Sequence, residues 1–398
     1  MIYVHIPFCR TFCTYCGFYS EIVPQCRKAG GTACHVEVFD RYAEALEAEI
    51  KVREAELKRV FASDDVNTLY IGGGTPSVMP VQFFERLLSA FEALGYKAPF
   101  KEFTMEVNPE DIVEKGADYV KGLLKSGVDR ISMGVQSLDD GVLKWMNRRH
   151  TAAEAVEAYK ILEASGVRNI SIDLIFGFPQ LTDELWRDTL YKTLDISSSG
   201  TPPRHISAYQ LSIEEGSMLE KMIERGKWAE APDQVCRRQY EILCEVLYEA
   251  GYHHYEISNF AQPGYEAEHN SAYWRHVPYV GLGPGAHSYI PHTGNGTGPL
   301  RRWNEPRIEA YLEAAHTGFF SGVQGEEVLD SEQLAIERVM LGLRTSSGLQ
   351  EKMLRECCAD VLVDRAIESG DLMRISGGSI RIPESRFFIS DNIISSLI

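Results

Sequence analysis

The feature that most constrains the fold is a repeated alternation of short apolar strands and helices over the first 211 residues. Segments rich in apolar and β-branched residues occur at 2–6, 67–71, 102–107, 130–135, 169–176 and 205–211. Helical stretches such as VQFFERLLSAFEAL and AAEAVEAYKILEASG separate them, and a longer helix is predicted over 42–61. Such units predict an α/β fold with a parallel sheet and helices packed outside it. Six units predict an open, partial (β/α)6 version of the eight-fold barrel.

Polar residues fall at the carboxyl ends of these strands, where barrels of this kind place their chemistry. Three cysteines follow the first strand, and a run of glycines ends the second. The later strands carry Glu106, Gln136, Asp173 and Gln210 at or near their ends. We therefore expect most of these groups to meet at one rim of the sheet.

The cysteines form a C-x3-C-x2-C run in the opening stretch MIYVHIPFCRTFCTYCGFYS, at Cys9, Cys13 and Cys16. A structural zinc site takes four ligands, usually as paired C-x2-C units or a Cys pair with a His pair, and this stretch has neither pattern. A 4Fe-4S cluster held by three thiolates would leave one iron without a protein ligand. The run therefore predicts metal ligation with one position open to a small molecule.

Composition limits the class of protein further. The chain has 398 residues, enough for two or more domains, and ordinary globular apolar and charged fractions. Its formal charge of −17 disfavours a broad nucleic-acid or anionic-membrane footprint, although a local basic patch remains open. Nine cysteines, an odd number, indicate reduced thiols plus a metal site. With no signal-like leader before the cysteines and no apolar span of membrane length, we expect a cytoplasmic protein.

The alternation stops near residue 215, which divides the chain into three predicted parts. Residues 1–215 form the partial barrel, 216–325 an α+β extension with a loop-rich stretch that contains EHNSAYW, and 326–398 a small winged-helix-like module. The module is indicated by a helix with Leu334, Val339 and Leu343 on one face and by the hairpin pattern LMRISGGSIRI. Such modules bind nucleic acid in some proteins, but more often pack against a neighbour, and the acidic charge favours packing.

Together, the cysteine run, Tyr15 before its third cysteine, the strand ahead of it and the glycines of GGGTPS resemble the radical S-adenosylmethionine (SAM) superfamily. The resemblance implies that SAM chelates the open iron, and that reduction of the cluster can split the sulfonium to a 5′-deoxyadenosyl radical. Alone, GGGTPS fits a tight turn, and Glu106 fits a buried ion-pair partner. The cofactor-binding residues that the resemblance implies are Tyr3, Tyr15, Gly73, Gly74, Thr75, Glu106, Gln136, Arg148 and Asp173.

Finer motifs, YVHIPFC, IGGGTPS, MGVQS, DLIFGFP and HYEISNFA, look like the family of oxygen-independent coproporphyrinogen III oxidase and the HemW-type haem chaperones. The oxidase branch has a further cysteine two positions after the third, where this chain has Phe18, and a long segment before the cluster. EHNSAYW is similar to the HNxxYW haem-binding motif of the chaperones. The chaperone branch is therefore favoured over the oxidase.

This branch implies a 4Fe-4S cluster, SAM and haem as bound groups, and transfer of haem to an acceptor protein that the sequence does not name. It implies no nucleic-acid partner, and membrane contact only peripherally, through the acceptor. His269 is the implied haem ligand, with Tyr273 and Trp274 beside the macrocycle and His276 and His287 as competing ligands. Catalytic residues stay unassigned, because whether the chain is an enzyme is open. The alternatives are a radical SAM decarboxylase of coproporphyrinogen III and a cluster-bearing nucleic-acid binder.

Cys26, Cys34 and His35 lie in a predicted loop that matches no part of the family pattern. They fit a second metal site, but unpaired thiols or an insertion are favoured. Cys357 and Cys358, in a late predicted helix, are expected to be structural.

Overall fold

The computed structural model describes residues 1–23, 32–62, 66–96, 99–291 and 298–398. Its strands are β1 (Ile2–Ile6), β2 (Phe8–Cys9), β3 (Glu21–Ile22), β4 (Thr68–Gly73), β5 (Glu102–Val107), β6 (Arg130–Gln136), β7 (Asn169–Phe176), β8 (His205–Gln210), β9 (His253–Glu256), β10 (Asn259–Ala261), β11 (Val280–Leu282), β12 (His287–Ile290), β13 (Leu300–Asn304), β14 (Gln324–Val328), β15 (Leu349–Gln350), β16 (Met373–Arg374) and β17 (Ser379–Arg381).

Fifteen α-helices accompany these strands in the described ranges. They are α1 (Thr32–Val52), α2 (Glu54–Ala62), α3 (Val81–Ala93), α4 (Pro109–Lys125), α5 (Asp140–Trp145), α6 (Ala152–Ala164), α7 (Asp183–Leu194), α8 (Met218–Glu224), α9 (Asp233–Glu249), α10 (Glu268–Trp274), α11 (Ile308–Thr317), α12 (Ser331–Gly342), α13 (Glu351–Cys357), α14 (Asp360–Glu368) and α15 (Ser390–Ser395).

The main sheet confirms the predicted α/β class. The six predicted strands are β1, β4, β5, β6, β7 and β8, and they pair in parallel in chain order. The sheet is larger than predicted, because β11 pairs in parallel with the free edge of β1 and the antiparallel pair β10 and β9 extends the other edge beyond β8. The result is an open nine-stranded sheet.

Strands of this sheet are buried along nearly their whole length, as expected when helices cover a parallel sheet. In β6, for example, every residue except the last is buried. The covering helices bury one apolar face, such as Phe83, Phe84, Leu87 and Phe91 of α3. This packing leaves the carboxyl ends of the strands as the place where loops gather.

The region after the first strand differs from the prediction. A helix was expected over 42–61, but α1 begins at Thr32, and the helix is interrupted at Arg53 before α2. The buried Arg53 guanidinium donates to Gly281 O (2.5 Å) and Ser288 Oγ (3.0 Å), which ties this point to β11 and β12. Cys34 and His35 therefore lie in α1 and not in a loop. Their side chains, like Cys26, lie outside the described residues.

Two small antiparallel sheets follow, β12–β13–β14 and β15–β17–β16. The second confirms the predicted hairpin pattern, and α12 to α14 pack beside it. Val339 and Leu343 are fully buried, whereas Leu334 is half-buried. The boundaries at 215 and 325 stay a prediction, and strands from beyond residue 215 complete the main sheet. No helix within the described ranges is both long and apolar enough to cross a membrane.

Candidate functional site

A cavity of about 490 Å³ opens at the carboxyl ends of the parallel strands. Its walls are the cysteine loop, the glycine turn after β4, and residues that point inward from β4 to β8 at every second position, such as Ser132, Gly134 and Gln136. The structure thus brings the predicted polar groups to one rim. Of the predicted residues, it is lined by Cys9, Cys13, Cys16, Tyr15, Gly73, Gly74, Thr75, Glu106, Gln136, Arg148, Asp173 and Gln210.

The three cysteines of the opening loop all line this cavity, and the other described cysteines do not. Thr75 Oγ1 lies 3.3 Å from Cys9 Sγ, and the Arg148 guanidinium donates to Cys13 Sγ at 3.4 Å. Burial raises the pKa of Cys9, and that of Cys16 to about 12, so the thiolates need a positive partner.

Within the described ranges, no three His, Cys, Asp or Glu side chains converge closely enough to share one metal ion. A 4Fe-4S cluster does not require such convergence, because each cysteine binds a different iron. Three thiols on one cavity, without a fourth from the described residues, therefore fit a cluster with one open iron better than a closed four-ligand zinc site.

The glycine turn packs directly against the end of β1, where the cysteine loop begins. Gly73 has φ +105°, and a Cβ there would meet the His5 ring at 2.6 Å. A Cβ on Gly74 would meet Phe8 O at 2.7 Å, and Gly74 N–H donates to Ile6 O at 2.8 Å. Packing alone thus requires these glycines. The tight-turn interpretation holds, alongside any contact with a ligand.

Helix α4 contacts both the cysteine loop and the glycine turn. Asp111 accepts a hydrogen bond from Ser77 Oγ at 2.6 Å and lies 3.6 Å from the Arg10 guanidinium of the cysteine loop. Lys115 Nζ donates to Ser77 O and Met79 O at 2.5 and 3.0 Å. Burial lowers the pKa of Lys115 to about 8. One helix thereby fixes the spacing between the cysteines and the glycine turn.

Glu106 is half-buried in the cavity wall at the end of β5. It accepts hydrogen bonds from Tyr70 Oη at 2.7 Å and from Gly73 N–H at 3.1 Å. No cationic side chain in the described ranges lies within ion-pair distance, so the ion-pair alternative is wrong. Burial raises the pKa of Glu106 to about 7, against the lowering effect of Tyr70. Glu106 is therefore an acidic group without a cation, facing the cavity.

Arg148 spans the cavity between the cysteine loop and two strands. Its guanidinium donates to Asn108 Oδ1 and Gly134 O, both at 2.7 Å, in addition to Cys13 Sγ. The buried Nε has no hydrogen-bond partner in the described part of the chain. A buried cation with a spare donor is suited to a carboxylate ligand. Gln136, also on this wall, has φ +65°, a conformation that is uncommon outside glycine.

Asp173 begins a chain of hydrogen bonds that leads away from the cavity. Ser132 Oγ donates to both of its carboxylate oxygens, at 3.0 and 2.9 Å, and Ser171 Oγ donates to Oδ1 at 3.2 Å. His205 Nδ1 lies 2.8 Å from Ser171 Oγ, and His205 Nε2 lies 2.8 Å from Tyr255 Oη. Burial lowers the pKa of His205 well below its usual value, so the ring is neutral.

Tyr3 is the one predicted SAM-binding residue that does not line the cavity. Its hydroxyl lies 3.0 Å from His5 Nδ1, and its ring packs beside Tyr70. The structure adds lining residues that the sequence analysis missed, among them Tyr70, Asn108 and Tyr209. The signal for Tyr70 and Tyr209 was their place in predicted strands close to rim residues, since Tyr70 lies two residues before Gly72 and Tyr209 directly before Gln210.

The EHNSAYW stretch is a helix, α10, and not the loop that was expected. His269 is 1% exposed, with Nδ1 at 2.8 Å from Thr68 Oγ1 and Nε2 at 3.0 Å from Tyr273 Oη. Burial lowers the pKa of His269 to about 3. Both ring nitrogens therefore have protein partners, and neither is free for an iron ion in this conformation.

The two faces of α10 point to different places. Asn270 lines the main cavity, whereas Trp274 faces away from it and donates to the Glu256 carboxylate. The motif and the cluster loop, far apart in the chain, thus meet across one cavity.

Comparison with known proteins identifies the family. The model of the radical SAM superfamily matches residues 3–191. Over 347 residues, the chain is 34% identical to the protein named heme chaperone HemW of Lactococcus lactis, covering 87% of this chain and 82% of the relative. The chain belongs to the HemW family of the radical SAM superfamily. The protein of the same name from Mycobacterium tuberculosis is 33% identical, over 94% of this chain and 90% of its own length.

Two further similarities lie outside bacterial HemW. A zebrafish protein named radical S-adenosyl methionine domain-containing protein 1, mitochondrial, is 28% identical over 97% of this HemW-family chain and 82% of its own length. The structure of Escherichia coli coproporphyrinogen III oxidase (HemN) superposes with a TM-score of 0.77 over 99% of this chain and 89% of the oxidase, at 20% identity. The second similarity confirms the predicted fold.

Proposed function

We propose that this HemW-family chain is a haem chaperone that holds a 4Fe-4S cluster and SAM in the main cavity, binds haem, and passes it to an acceptor protein. The observation that carries the cofactor part is a cavity that, among the described residues, has three thiols, no fourth thiol, and a buried guanidinium nitrogen without a partner. The haem part is supported by relatives at 33–34% identity that are named heme chaperones.

Cys9, Cys13 and Cys16 would hold the cluster, and its open iron would be the attachment point for SAM. When bound, the pair supplies one-electron chemistry that the protein itself lacks. Arg148 presents its spare Nε donor to a carboxylate, and Glu106 presents an acceptor to an amino group. A bound cation would keep Glu106 ionised at neutral pH, because an adjacent positive charge lowers the pKa of a carboxyl group.

The oxidase alternative has weaker support. Phe18, 71% exposed, stands where that branch has its further cysteine, and the 20% identity to the oxidase shows only a shared fold. The nucleic-acid alternative also lacks a basic surface on the C-terminal module. Its Arg355 pairs with Glu351, Asp360 and Asp364, and Arg374 also pairs with Glu351.

The partners and location belong to the same proposal. A chaperone requires an acceptor, whose chemistry the chain does not reveal, and membrane contact would occur only through that acceptor. We propose a cytoplasmic location, because the proposed cysteine-held cluster and the free thiols suit a reducing compartment.

The test supplies the anaerobically reconstituted full chain with haem, with coproporphyrinogen III plus SAM, or with duplex DNA. We expect about one haem per chain, transfer of that haem to a haem-free acceptor protein, no protoporphyrinogen, and no retention of DNA. SAM should also change the electron paramagnetic resonance spectrum of the reduced cluster. Turnover of coproporphyrinogen III without haem binding would contradict the proposal.

A further inference from the structure

Helix α5 ends in a turn that faces the cysteine loop, residues 9–16. Arg148 N–H donates to Leu143 O at 2.9 Å, and Asn147 N–H donates to Lys144 O at 3.1 Å. This pair of hydrogen bonds is the Schellman motif, in which one residue takes the left-handed conformation and is usually glycine. Asn147 takes that position here, with φ +57°, although glycine adopts such a conformation with less strain.

The side chain of Asn147 does what a glycine could not do at this position. Its Nδ2 donates to Phe12 O at 2.7 Å, and that carbonyl belongs to the peptide that joins Phe12 to Cys13. Asn147 and Gln136 are two of the three non-glycine residues with positive φ in the described ranges, and both line the cysteine cavity. Backbone conformations of this kind concentrate at ligand sites. The asparagine thus combines the turn with a bond to the cysteine loop.

The residues on either side of Asn147 also contact the cysteine loop. Thr14 N–H donates to Met146 O at 3.1 Å, and Thr14 Oγ1 donates to Trp145 O at 3.4 Å. On the other side, Arg148 donates to Cys13 Sγ at 3.4 Å. Each residue of the turn, from 145 to 148, therefore makes one contact with the loop around its middle cysteine.

The turn is itself held by a cluster of aromatic rings. The Trp145 ring stacks on Phe178, with centroids 5.1 Å apart, and on Trp228, with centroids 5.9 Å apart. Phe178 is fully buried, and Trp228 Nε1 donates to Gln180 Oε1 at 3.3 Å. The turn therefore has little freedom to follow a displaced loop, so the position of the cysteine loop depends on the hydrogen bonds between the two.

We propose that Asn147 is a positioning residue for the cluster and for SAM. Its amide ties the peptide before Cys13 to the turn, and its left-handed backbone directs Arg148 to Cys13 Sγ and into the cavity. The inference rests on the proposed cofactors, and Asn147 acts on them through Cys13 and Arg148. Because hydrogen bonds to the sulfurs help to set the reduction potential of a cluster, a displaced Arg148 should change that potential as well as the affinity for SAM.

The test is Asn147→Gly in the anaerobically reconstituted full-length protein. Glycine retains the left-handed turn, so thermal unfolding and cluster absorbance should stay close to those of the wild type. The affinity for SAM, titrated through the electron paramagnetic resonance spectrum of the reduced cluster, should fall at least fivefold. The reduction potential should become more negative, because the positive charge of Arg148 moves away from Cys13. Asn147→Asp, which sets a carboxylate against the Phe12 carbonyl, should have a larger effect. Asn392→Ala, at an exposed asparagine of α15, is the control and should bind SAM like the wild type.

A double-mutant cycle separates positioning from a general loss of packing. If Asn147 acts through Arg148, Asn147→Gly should weaken SAM binding little further once Arg148→Gln is present. Additive losses of affinity, or wild-type affinity and potential in Asn147→Gly, would overturn the inference and leave the proposed function intact. If the cluster of the wild type shows no response to SAM, the proposed cofactor site itself fails, and the inference fails with it.

Discussion

Glu106 and Glu256 have no cationic partner among the described residues, and burial raises the pKa of each carboxyl group to about 7. Glu106 is half-buried in an open cavity, where water reduces the effect. Glu256 is 1% exposed and accepts hydrogen bonds from Trp274 and from Ser258 N–H. Glu256 is therefore the better probe of the electrostatic cost of these sites.

We predict that the contribution of Glu256 to the stability of the ligand-free protein falls as pH rises from about 4.5 to about 7, whereas that of the buried neutral histidines, such as His205 and His269, rises. In this window the unfolded Glu256, with its ordinary pKa of 4.5, has lost its proton, while the folded group retains it. The native state thus binds more protons, and the free energy of unfolding falls with pH, by up to about 3 kcal/mol for this group. Glu256→Gln should remove that part of the slope in urea unfolding at pH 5 and pH 8.

The exposed Glu313 of α11 provides the matched control, because Glu313→Gln should leave the pH dependence of unfolding unchanged. An identical pH slope in wild type and Glu256→Gln would show that Glu256 is ionised at neutral pH in the folded protein.

We predict that Cys9→Ala, Cys13→Ala and Cys16→Ala each abolish the visible absorbance of the reconstituted cluster, because no other cysteine in the described part of the chain lines the cavity. Cys26→Ala and Cys244→Ala should leave it intact. Cys244 is half-buried between α9 and β9, which makes it a fair control for loss of a thiol. Equal loss of absorbance in a control variant would refute the three-ligand assignment.

Residue types at the rim were predictable from the sequence, but their contacts were not. Helix α5 separates Arg148 from the strand before it, β6. Nothing in the neighbouring sequence therefore indicates that Arg148 donates to Cys13. For His269, the resemblance of its motif implied an iron ligand. In the structure, both of its ring nitrogens instead have protein partners. Hydrogen bonds between residues distant in the chain depend on the assembled fold.

Among the elements, α10 depends on a residue far from it in sequence. Its first N–H groups, those of Glu268 and His269, donate to the two carboxylate oxygens of buried Glu102 at 2.8 and 3.0 Å. A seven-residue helix has little stability of its own, so this contact anchors it.

We predict that Glu102→Ala lowers the free energy of unfolding by about 1–3 kcal/mol, because it leaves buried N–H groups without acceptors. Glu102→Gln retains one acceptor and should recover part of the loss. Urea unfolding measures both, and amide hydrogen exchange should show α10 opening first. Glu309→Ala, an exposed acidic residue in the first turn of α11, is the control. An unchanged exchange rate in α10 would contradict this account.

Dependence on residues distant in the chain also explains which helices and strands could be predicted from the sequence and which could not. The strands at 102–107 and 169–176 were predicted with their observed bounds, because their apolar, β-branched runs are strand-like on their own. By contrast, β11 has three residues, one of them glycine, and is a strand because β1 offers it an edge. The sequence predicts a loop at α10, because the residue that anchors this helix, Glu102, is far from it in the chain.

At the scale of the whole molecule, the main sheet crosses the predicted boundary at residue 215. β11 covers β1, β10 covers β8, and the buried Arg53 side chain contacts the segment that follows β11. We predict that a chain of residues 1–215 does not fold by itself, because both sheet edges and the Arg53 guanidinium would be uncovered. Circular dichroism and size-exclusion chromatography test this, with the full chain as control. A monomeric, cooperatively unfolding fragment would establish an autonomous barrel.

The hydrogen-bond chain from Asp173 through Ser171 and His205 ends at Tyr255, which lies on β9, outside the main cavity. It is directional, because a neutral His205 ring donates at one nitrogen and accepts at the other. A ligand that reverses the donor and acceptor roles at Asp173 would also reverse them at Tyr255. By thermodynamic linkage, any factor by which SAM alters haem affinity must equal the factor by which haem alters SAM affinity. If the chain binds both ligands as proposed and the two affinities are coupled in this way, exchange of SAM would change how tightly haem is held.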